Sequence, residues 1–65
     1  MTKRLHWVLF REDPNTHREI YLRGMLTTIP DRVSDPEDAQ RFDTAKDAYR
    51  YGKKHGLDTW RAGLR

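Results

Sequence analysis

The stretch PEDAQRFDTAKDAYRYGKKHG, residues 36–56, decides the fold of this 65-residue chain because it contains two helix starts. Asp35 followed by Pro36 is the first, since a capping carboxylate and a proline at the first helical position both suit a helix N-terminus. Thr44 and Asp47 form a pattern similar to a capping box, which predicts the second start. We therefore expect about one helical turn and then the main helix.

The main helix is expected to present one apolar face to a sheet. It should run over residues 44–55, with Gly56 as the left-handed residue that commonly ends a helix. Phe42, just before the cap, should pack on the core and fix the angle at which the chain enters the helix. Small and apolar residues recur at helical spacing and define the buried face. They are Ala45, Ala48, Tyr49 and Gly52.

Three runs of residues are typical of β-strands. Residues 5–11 and 19–28 are rich in β-favouring side chains and flank a turn cluster at residues 13–16, which predicts an antiparallel hairpin. Gly24 interrupts the second run, where we expect a bulge. Residues 59–64 alternate in polarity and predict a short third strand.

Residues 29–33, by contrast, are expected to form an extended connector, because Pro30 donates no ladder hydrogen bond. The predicted fold class is α+β: a single domain over residues 1–65, with a three-stranded antiparallel sheet, one main helix and ββαβ order. The first strand has apolar residues on both faces, so either both are covered or one meets a partner. The predicted core comprises Leu5, Trp7, Leu9, Ile20, Leu22, Leu26, Phe42, Ala45, Ala48, Tyr49, Leu57, Trp60 and Leu64.

The composition excludes several classes of protein. Without cysteine, the chain has no disulfide framework, thiolate metal site or thiol nucleophile. Its longest uncharged run, residues 24–30, is far shorter than the roughly 20 apolar residues that a bilayer requires, and no apolar signal segment follows the start. We therefore expect a cytoplasmic protein without membrane contact. The net charge of +3 combines basic ends, including Lys3 and Arg4, with an acidic middle. Such a layout can steer an acidic partner by long-range attraction, but a charge of this size is also the ordinary charge of a well-dissolved small domain, which is the preferred interpretation.

Reactive groups do not converge in the sequence. His6, His17 and His55 lack the short spacing of a metal chelate. The carboxylates crowd the helix starts, where capping accounts for them. Ser34 lacks the glycine-flanked turn of a serine nucleophile, and the glycines stand alone rather than in a phosphate-binding loop. The sequence predicts no enzyme, no metal site and no cofactor.

Protein binding is the function that the sequence favours. Aromatic, methionine and arginine side chains are the types that anchor interfaces, and this short sheet carries more of them than one helix can cover. A strand edge could also accept a partner strand or a second copy, giving a homodimer. The alternative is that the same rings only shield the sheet. The candidate interface residues are Trp7, Phe10, Tyr21, Arg23 and Met25.

The second candidate function is nucleic-acid binding. Cations interleaved with aromatic residues can pair with phosphates while the rings stack on bases. The helix has such a pattern, and the last strand could extend it. The candidate residues are Arg50, Tyr51, Lys53, Lys54, Arg61 and Arg65.

A short pattern in the last third of the chain resembles a known kind of protein. Ala39, Phe42, Thr44 and Ala48, within DAQRFDTAKDAYRYGKKHGL, follow an aromatic first strand and precede a short last one. This layout is similar to that of small uncharacterised bacteriophage and prophage proteins. The resemblance implies an accessory protein that binds and modulates a host protein, and it transfers no catalytic residue.

Overall fold

The structure, a computed structural model, describes residues 4–65, so the predicted basic residue Lys3 lies outside the described part. Over these residues the chain forms a small α+β fold with four strands and one α-helix. The elements are β1 (Trp7–Glu12), β2 (Glu19–Leu26), β3 (Ile29–Val33), a 3₁₀ turn (Pro36–Asp38), α1 (Ala45–Lys54) and β4 (Arg61–Leu64). The predicted α+β class, first hairpin and main helix are confirmed.

The sheet has one strand more than the sequence predicts. Its strands are antiparallel, in the spatial order β3-β2-β1-β4. The expected connector over residues 29–33 is strand β3, so the predicted three-stranded ββαβ order is wrong and the order is βββαβ. Pro30 is tolerated because β3 lies at an edge of the sheet, where a strand can lack a ladder donor.

The bulge predicted at Gly24 is confirmed, and it reverses the side chains that follow it. The register between β2 and β3 shifts between Leu22 and Gly24. One inserted residue moves every later side chain to the other face of the sheet. Met25 therefore packs against the main core. Leu26, predicted as a core residue, is instead 62% exposed.

Helix α1 packs on one face of the sheet, here called the helix face, and closes the main core. The Thr44 hydroxyl caps it by accepting a hydrogen bond from the Asp47 N–H at 3.1 Å. The helix ends at Lys54, and Gly56, just after the capping residue, has a φ of 69°. The next residue, Leu57, donates its N–H back to the Gly52 carbonyl at 2.8 Å. The buried residues of the main core are Leu9, Leu22, Ala48, Leu57 and Trp60.

The side of α1 that is buried differs from the predicted one. Ala48 is buried as expected, but Tyr49 is 55% exposed, so its predicted place in the core is wrong. Tyr51 is half-buried instead. Its ring centroid lies 5.4 Å from that of Phe42 and 4.4 Å from that of His55. Phe42 thus helps to decide which side of the helix is buried.

The opposite face of the sheet, here called the back face, carries a second and smaller core. Val8, Tyr21 and Ala39 are buried there, and Phe10 and Val33 pack against them. Strand β1 is therefore covered on both sides, which is one of the two outcomes that its apolar pattern predicts. The cover on the back face comes from within the chain.

Between the two faces, the chain passes through the gap between β1 and β2. Ala39 packs on the back face and Phe42 on the helix face. On the way, the Gln40 N–H donates to the Leu22 carbonyl and the Phe42 N–H donates to the Trp7 carbonyl, each at 2.9 Å. β1 and β2 pair with each other only near the turn that joins them, from Phe10↔Tyr21 to Glu12↔Glu19. Residues 39–42 therefore separate the two strands and connect the two cores.

Candidate functional site

The structure does not bring the predicted interface residues into one surface. Phe10 and Tyr21 form a cross-strand pair on the back face. Trp7 is half-buried at the start of β1, and Met25 packs against the main core. Arg23 lies at the bulge, with its Nε 3.9 Å from a carboxylate oxygen on β3. Tyr21 is only 7% exposed, so the exposure predicted for it is wrong.

Phe10 is the centre of a stack of side chains on the back face. Its ring lies against Gly63 of β4, where a Cβ would meet the Phe10 Cε1 atom at 2.6 Å. The Arg65 guanidinium carbon lies 4.3 Å from the centroid of the same ring. Arg65 then reaches Glu19 on β2 through two hydrogen bonds, Nε to Oε1 at 3.0 Å and Nη2 to Oε2 at 2.8 Å. An aromatic ring over an edge glycine stabilises strand pairing, so the stack is explained by the fold.

Glu19 joins the charged and aromatic parts of this stack. The hydrogen bonds from Arg65 keep the pKa of the Glu19 carboxyl below its ordinary value, and they raise the pKa of Arg65. The Tyr21 hydroxyl also donates to Glu19 Oε1, at 3.0 Å. Burial, followed by the hydrogen bond to Glu19, raises the pKa of the Tyr21 phenol. All three groups therefore keep their ordinary charge near neutral pH, which suits a structural ion pair rather than proton transfer.

A depression of about 410 Å³, lined by apolar and polar side chains together, lies where β1 begins and β4 ends. Its four apolar side chains, here called the end patch, are Leu5, Trp7, Phe42 and Leu64. Leu5 is 58% exposed and Leu64 is 44% exposed, so their predicted places in the core are wrong. Trp7 and Phe42 are half-buried and face each other across a single backbone bridge. The polar residues that complete the lining are Arg4, His6 and Asp43.

The end patch could not be predicted from the strand patterns, because alternation along a strand does not show how far the helix extends over the sheet. The signal that could have found it is the length of the helix. The ten residues of α1 span about 15 Å at the usual rise per residue. The longest dimension of the molecule is 37 Å. A helix this short leaves apolar residues at strand ends uncovered.

The candidate nucleic-acid residues are divided between the two faces of the sheet. Three cations on α1 are exposed, namely Arg50, Lys53 and Lys54. Tyr51, predicted to lie beside them, is half-buried against Phe42. Arg61 pairs with Phe10 and so lies on the back face, where Arg65 is held by its ion pair. The helix and the last strand therefore do not form one basic surface.

A second depression, of about 490 Å³, has side chains of both charges around it, including Arg11, Glu12, His17 and Arg61. His17 Nδ1 lies 3.5 Å from Glu12 Oε1, and both side chains are exposed. Across residues 4–65, histidines and carboxylates do not gather in a set of three that could hold a metal ion. Within the same residues, no helix has the length and hydropathy needed to cross a bilayer.

Comparison with known proteins found no relative of this chain. No protein-family model, no curated protein and no solved structure matches this chain. The exposed side chains and the edges of the sheet are therefore the features from which a function can be inferred.

Proposed function

We propose that this chain is a small non-catalytic protein-binding domain and that the end patch is its contact surface. The observation that carries the proposal is the exposure of Leu5 and Leu64, at 58% and 44%, in one depression with two aromatic rings. Aromatic anchors with aliphatic neighbours and a polar rim are the composition of a protein interface. A partner side chain entering the depression would contact apolar groups from β1, β4 and the segment before α1.

Exposed apolar residues elsewhere are a weaker basis for the proposal. Leu26 and Ile29 are 62% and 65% exposed and pair with each other beside the β2–β3 turn. Exposed aliphatic side chains are ordinary on folded proteins. The end patch differs because its aliphatic side chains share a concave surface with Trp7 and Phe42. Leu26 is accordingly a matched control site, since its exposure is close to that of Leu5.

We further propose that the partner is a host protein and that the chain acts in the cytoplasm as a phage-type accessory protein. The support is the sequence pattern of Ala39, Phe42, Thr44 and Ala48. Each of these residues has a folding role: Ala39 is buried on the back face, Phe42 and Ala48 belong to the main core, and Thr44 caps α1. The pattern therefore supports a shared fold, and partner choice depends on residues outside it.

A photo-crosslinking experiment tests the contact surface. A photoreactive phenylalanine analogue is placed at Leu5 in one sample and at Leu26 in the other, and proteins crosslinked in bacterial cells are identified by mass spectrometry. We expect a partner that crosslinks from Leu5 and not from Leu26. With that partner purified, Leu5→Glu should weaken binding by roughly thirtyfold, because about 2 kcal/mol of apolar burial is lost. Leu26→Glu should leave the affinity unchanged. Equal crosslinking from both sites, or equal effects of both substitutions, would reject the proposal.

Nucleic-acid binding is the second candidate, and one observation favours it. Lys46 joins the three predicted cations in a row along the exposed side of α1, opposite the side that Ala48 and Gly52 bury. Phosphate contacts weaken steeply as salt rises. A gel-shift assay with nonspecific DNA and RNA at low and high salt tests this candidate. If Arg50→Glu does not weaken retention at low salt, or nothing is retained, nucleic-acid binding is rejected.

A further inference from the structure

The outer edge of β4 is an unused pairing surface. In the sheet order β3-β2-β1-β4, β4 has β1 on one side, and no strand among residues 4–65 pairs with its other side. β3 forms the opposite edge, but Pro30 removes one backbone donor there and its neighbours Asp31 and Arg32 are charged. Proline and charged residues are the usual protection of an edge against further strands. β4 carries no proline over Arg61–Leu64, and its one charged residue is Arg61 at the start of the strand.

The register of β4 shows which of its backbone groups point outward. His6 and Arg65 exchange two backbone hydrogen bonds, of 3.1 and 3.0 Å. Bonded pairs alternate with unbonded pairs in an antiparallel ladder. The N–H and C=O groups of Ala62 and Leu64 therefore point away from β1. By the same alternation, the Trp7 carbonyl should point away from β4. The structure agrees, because this carbonyl accepts a hydrogen bond from the Phe42 N–H on the other side of β1.

The side chains beside these groups define what an added strand would meet. Leu64 is opposite Trp7 and Ala62 is opposite Leu9, so both lie on the helix face, next to the end patch. Arg61 is opposite Phe10 and lies on the back face. Arg61 is exposed, and no carboxylate among residues 4–65 forms an ion pair with it. An added strand would thus have apolar surface along one face and an unpaired cation along the other.

We propose that β4 binds an extended segment of a partner protein by strand addition, and that this segment alternates apolar and acidic residues. Its apolar side chains lie beside Leu64 on the end patch, and an acidic side chain pairs with Arg61. The inference rests on the proposed protein-binding function and specifies its partner. A second copy of this chain fits less well. Two β4 strands would offer each other the exposed Arg61 and no acidic side chain from within β4, and each copy carries a net charge of +3.

The test uses the full chain and a short, end-blocked, fluorescent peptide of alternating valine and glutamate. The controls are a valine and lysine peptide and a peptide of the same composition in which the valines and glutamates are grouped. Fluorescence anisotropy should show binding of the alternating acidic peptide alone. Hydrogen exchange should slow at the Ala62 and Leu64 amides when it binds, since these N–H groups gain partners.

Ala62→Pro removes an outward N–H without removing a bond to β1, and it should weaken peptide binding by about tenfold or more. Arg61→Glu should transfer the preference to the lysine peptide, and Arg32→Glu on the opposite edge should have no effect. Circular dichroism checks the fold of Ala62→Pro, and if that variant unfolds, Leu64→Pro removes the other outward donor.

Three results would overturn the inference. They are unchanged peptide binding by the folded proline variant, equal binding of both charged peptides, and self-association that the proline variant abolishes. If the partner crosslinked from Leu5 still binds the Ala62→Pro variant with full affinity, strand addition is wrong while the proposed function stands. If no partner crosslinks from Leu5, the proposed function itself fails.

Discussion

Gly63→Ala is the most direct test of how the back face is built. The backbone of Gly63 accepts alanine, but the new Cβ would lie 2.6 Å from Phe10 Cε1 and 3.0 Å from Arg65 Nη1. Carbon atoms in contact are normally about 3.5–4.0 Å apart, so the Phe10 ring must move by roughly 1 Å. That movement loosens the contact between the ring and Arg65, whose guanidinium carbon is 4.3 Å from the ring centroid.

The expected net effect is a loss of stability. Overpacking of this kind costs about 1–3 kcal/mol. Replacing glycine by alanine also stabilises the folded state by about 0.4–1 kcal/mol, because it restricts the unfolded chain. The net loss is then about 1 kcal/mol, which corresponds to a fall in Tm of about 4–8 °C for a domain of this size. Urea unfolding followed by tryptophan fluorescence, together with thermal melting by circular dichroism, measures both quantities.

A double-mutant cycle with Phe10→Leu tests the cause. Leucine lacks the ring edge that the new methyl group would meet, so Gly63→Ala should be neutral or stabilising in that background. The expected coupling between the two sites is about 1 kcal/mol. Should Gly63→Ala stabilise the wild-type chain, or cost the same in both backgrounds, the stack of Gly63, Phe10 and Arg65 would not be a real constraint on the fold.

Four further predictions concern charge and backbone geometry. Arg65 lowers the pKa of Glu19, so the stabilisation is present above the ordinary glutamate pKa and is lost as the pH falls through the lowered value. Glu19→Gln should therefore reduce the free energy of unfolding at pH 7, by less than about 1 kcal/mol because the pair is partly exposed. It should have no effect near pH 2. Urea titrations at both pH values would measure the difference. A Cβ at Gly52 would meet its nearest atoms at an ordinary 3.7 Å, so Gly52→Ala should stabilise the helix by about 0.5–1 kcal/mol. Gly56→Ala, at a φ of 69°, should cost about 1 kcal/mol, and equal Tm changes for the two variants would contradict the assigned helix end. Thr27 has a φ of 58° at the first position of the β2–β3 turn, where glycine is favoured, so Thr27→Gly should raise the Tm; a fall would contradict this turn geometry.

The sequence predicts the helix well because its signals are local. The Thr44 cap and the Gly56 end are set by residues within a few positions of each other, and the structure has both. The choice between Tyr49 and Tyr51 is not local. Each lies about 80° from the line through Ala48 and Gly52 on a helical wheel, so periodicity cannot distinguish them. Phe42, which packs against one side of the helix, makes the difference.

The strand errors have two physical causes. The bulge at Gly24 could be predicted, but its consequence for Leu26 follows only when the reversal of alternation is carried along the strand. Pro30 is incompatible with a central strand but compatible with an edge strand. The residues of a strand do not show whether it lies at the edge or in the centre of the sheet, so β3 could not be predicted from them. Tyr21 is buried in a cluster that its cross-strand partners Phe10 and Val33 form together with Ala39, from a distant part of the chain. The candidate site could not be predicted for the same reason, since it consists of what such covering leaves exposed.

The segment from Ala39 to Phe42 explains why the end patch exists at all. It occupies the carbonyls of Leu22 and Trp7, which would otherwise pair β2 with the first half of β1. That half of β1 is therefore joined to β4 on one side and to a single crossing segment on the other. The crossing brings Phe42 beside Trp7 but carries no side chain over Leu5 or Leu64, which remain exposed. The stretch that connects the two cores thus also leaves uncovered the end of the sheet at which we propose that a partner binds.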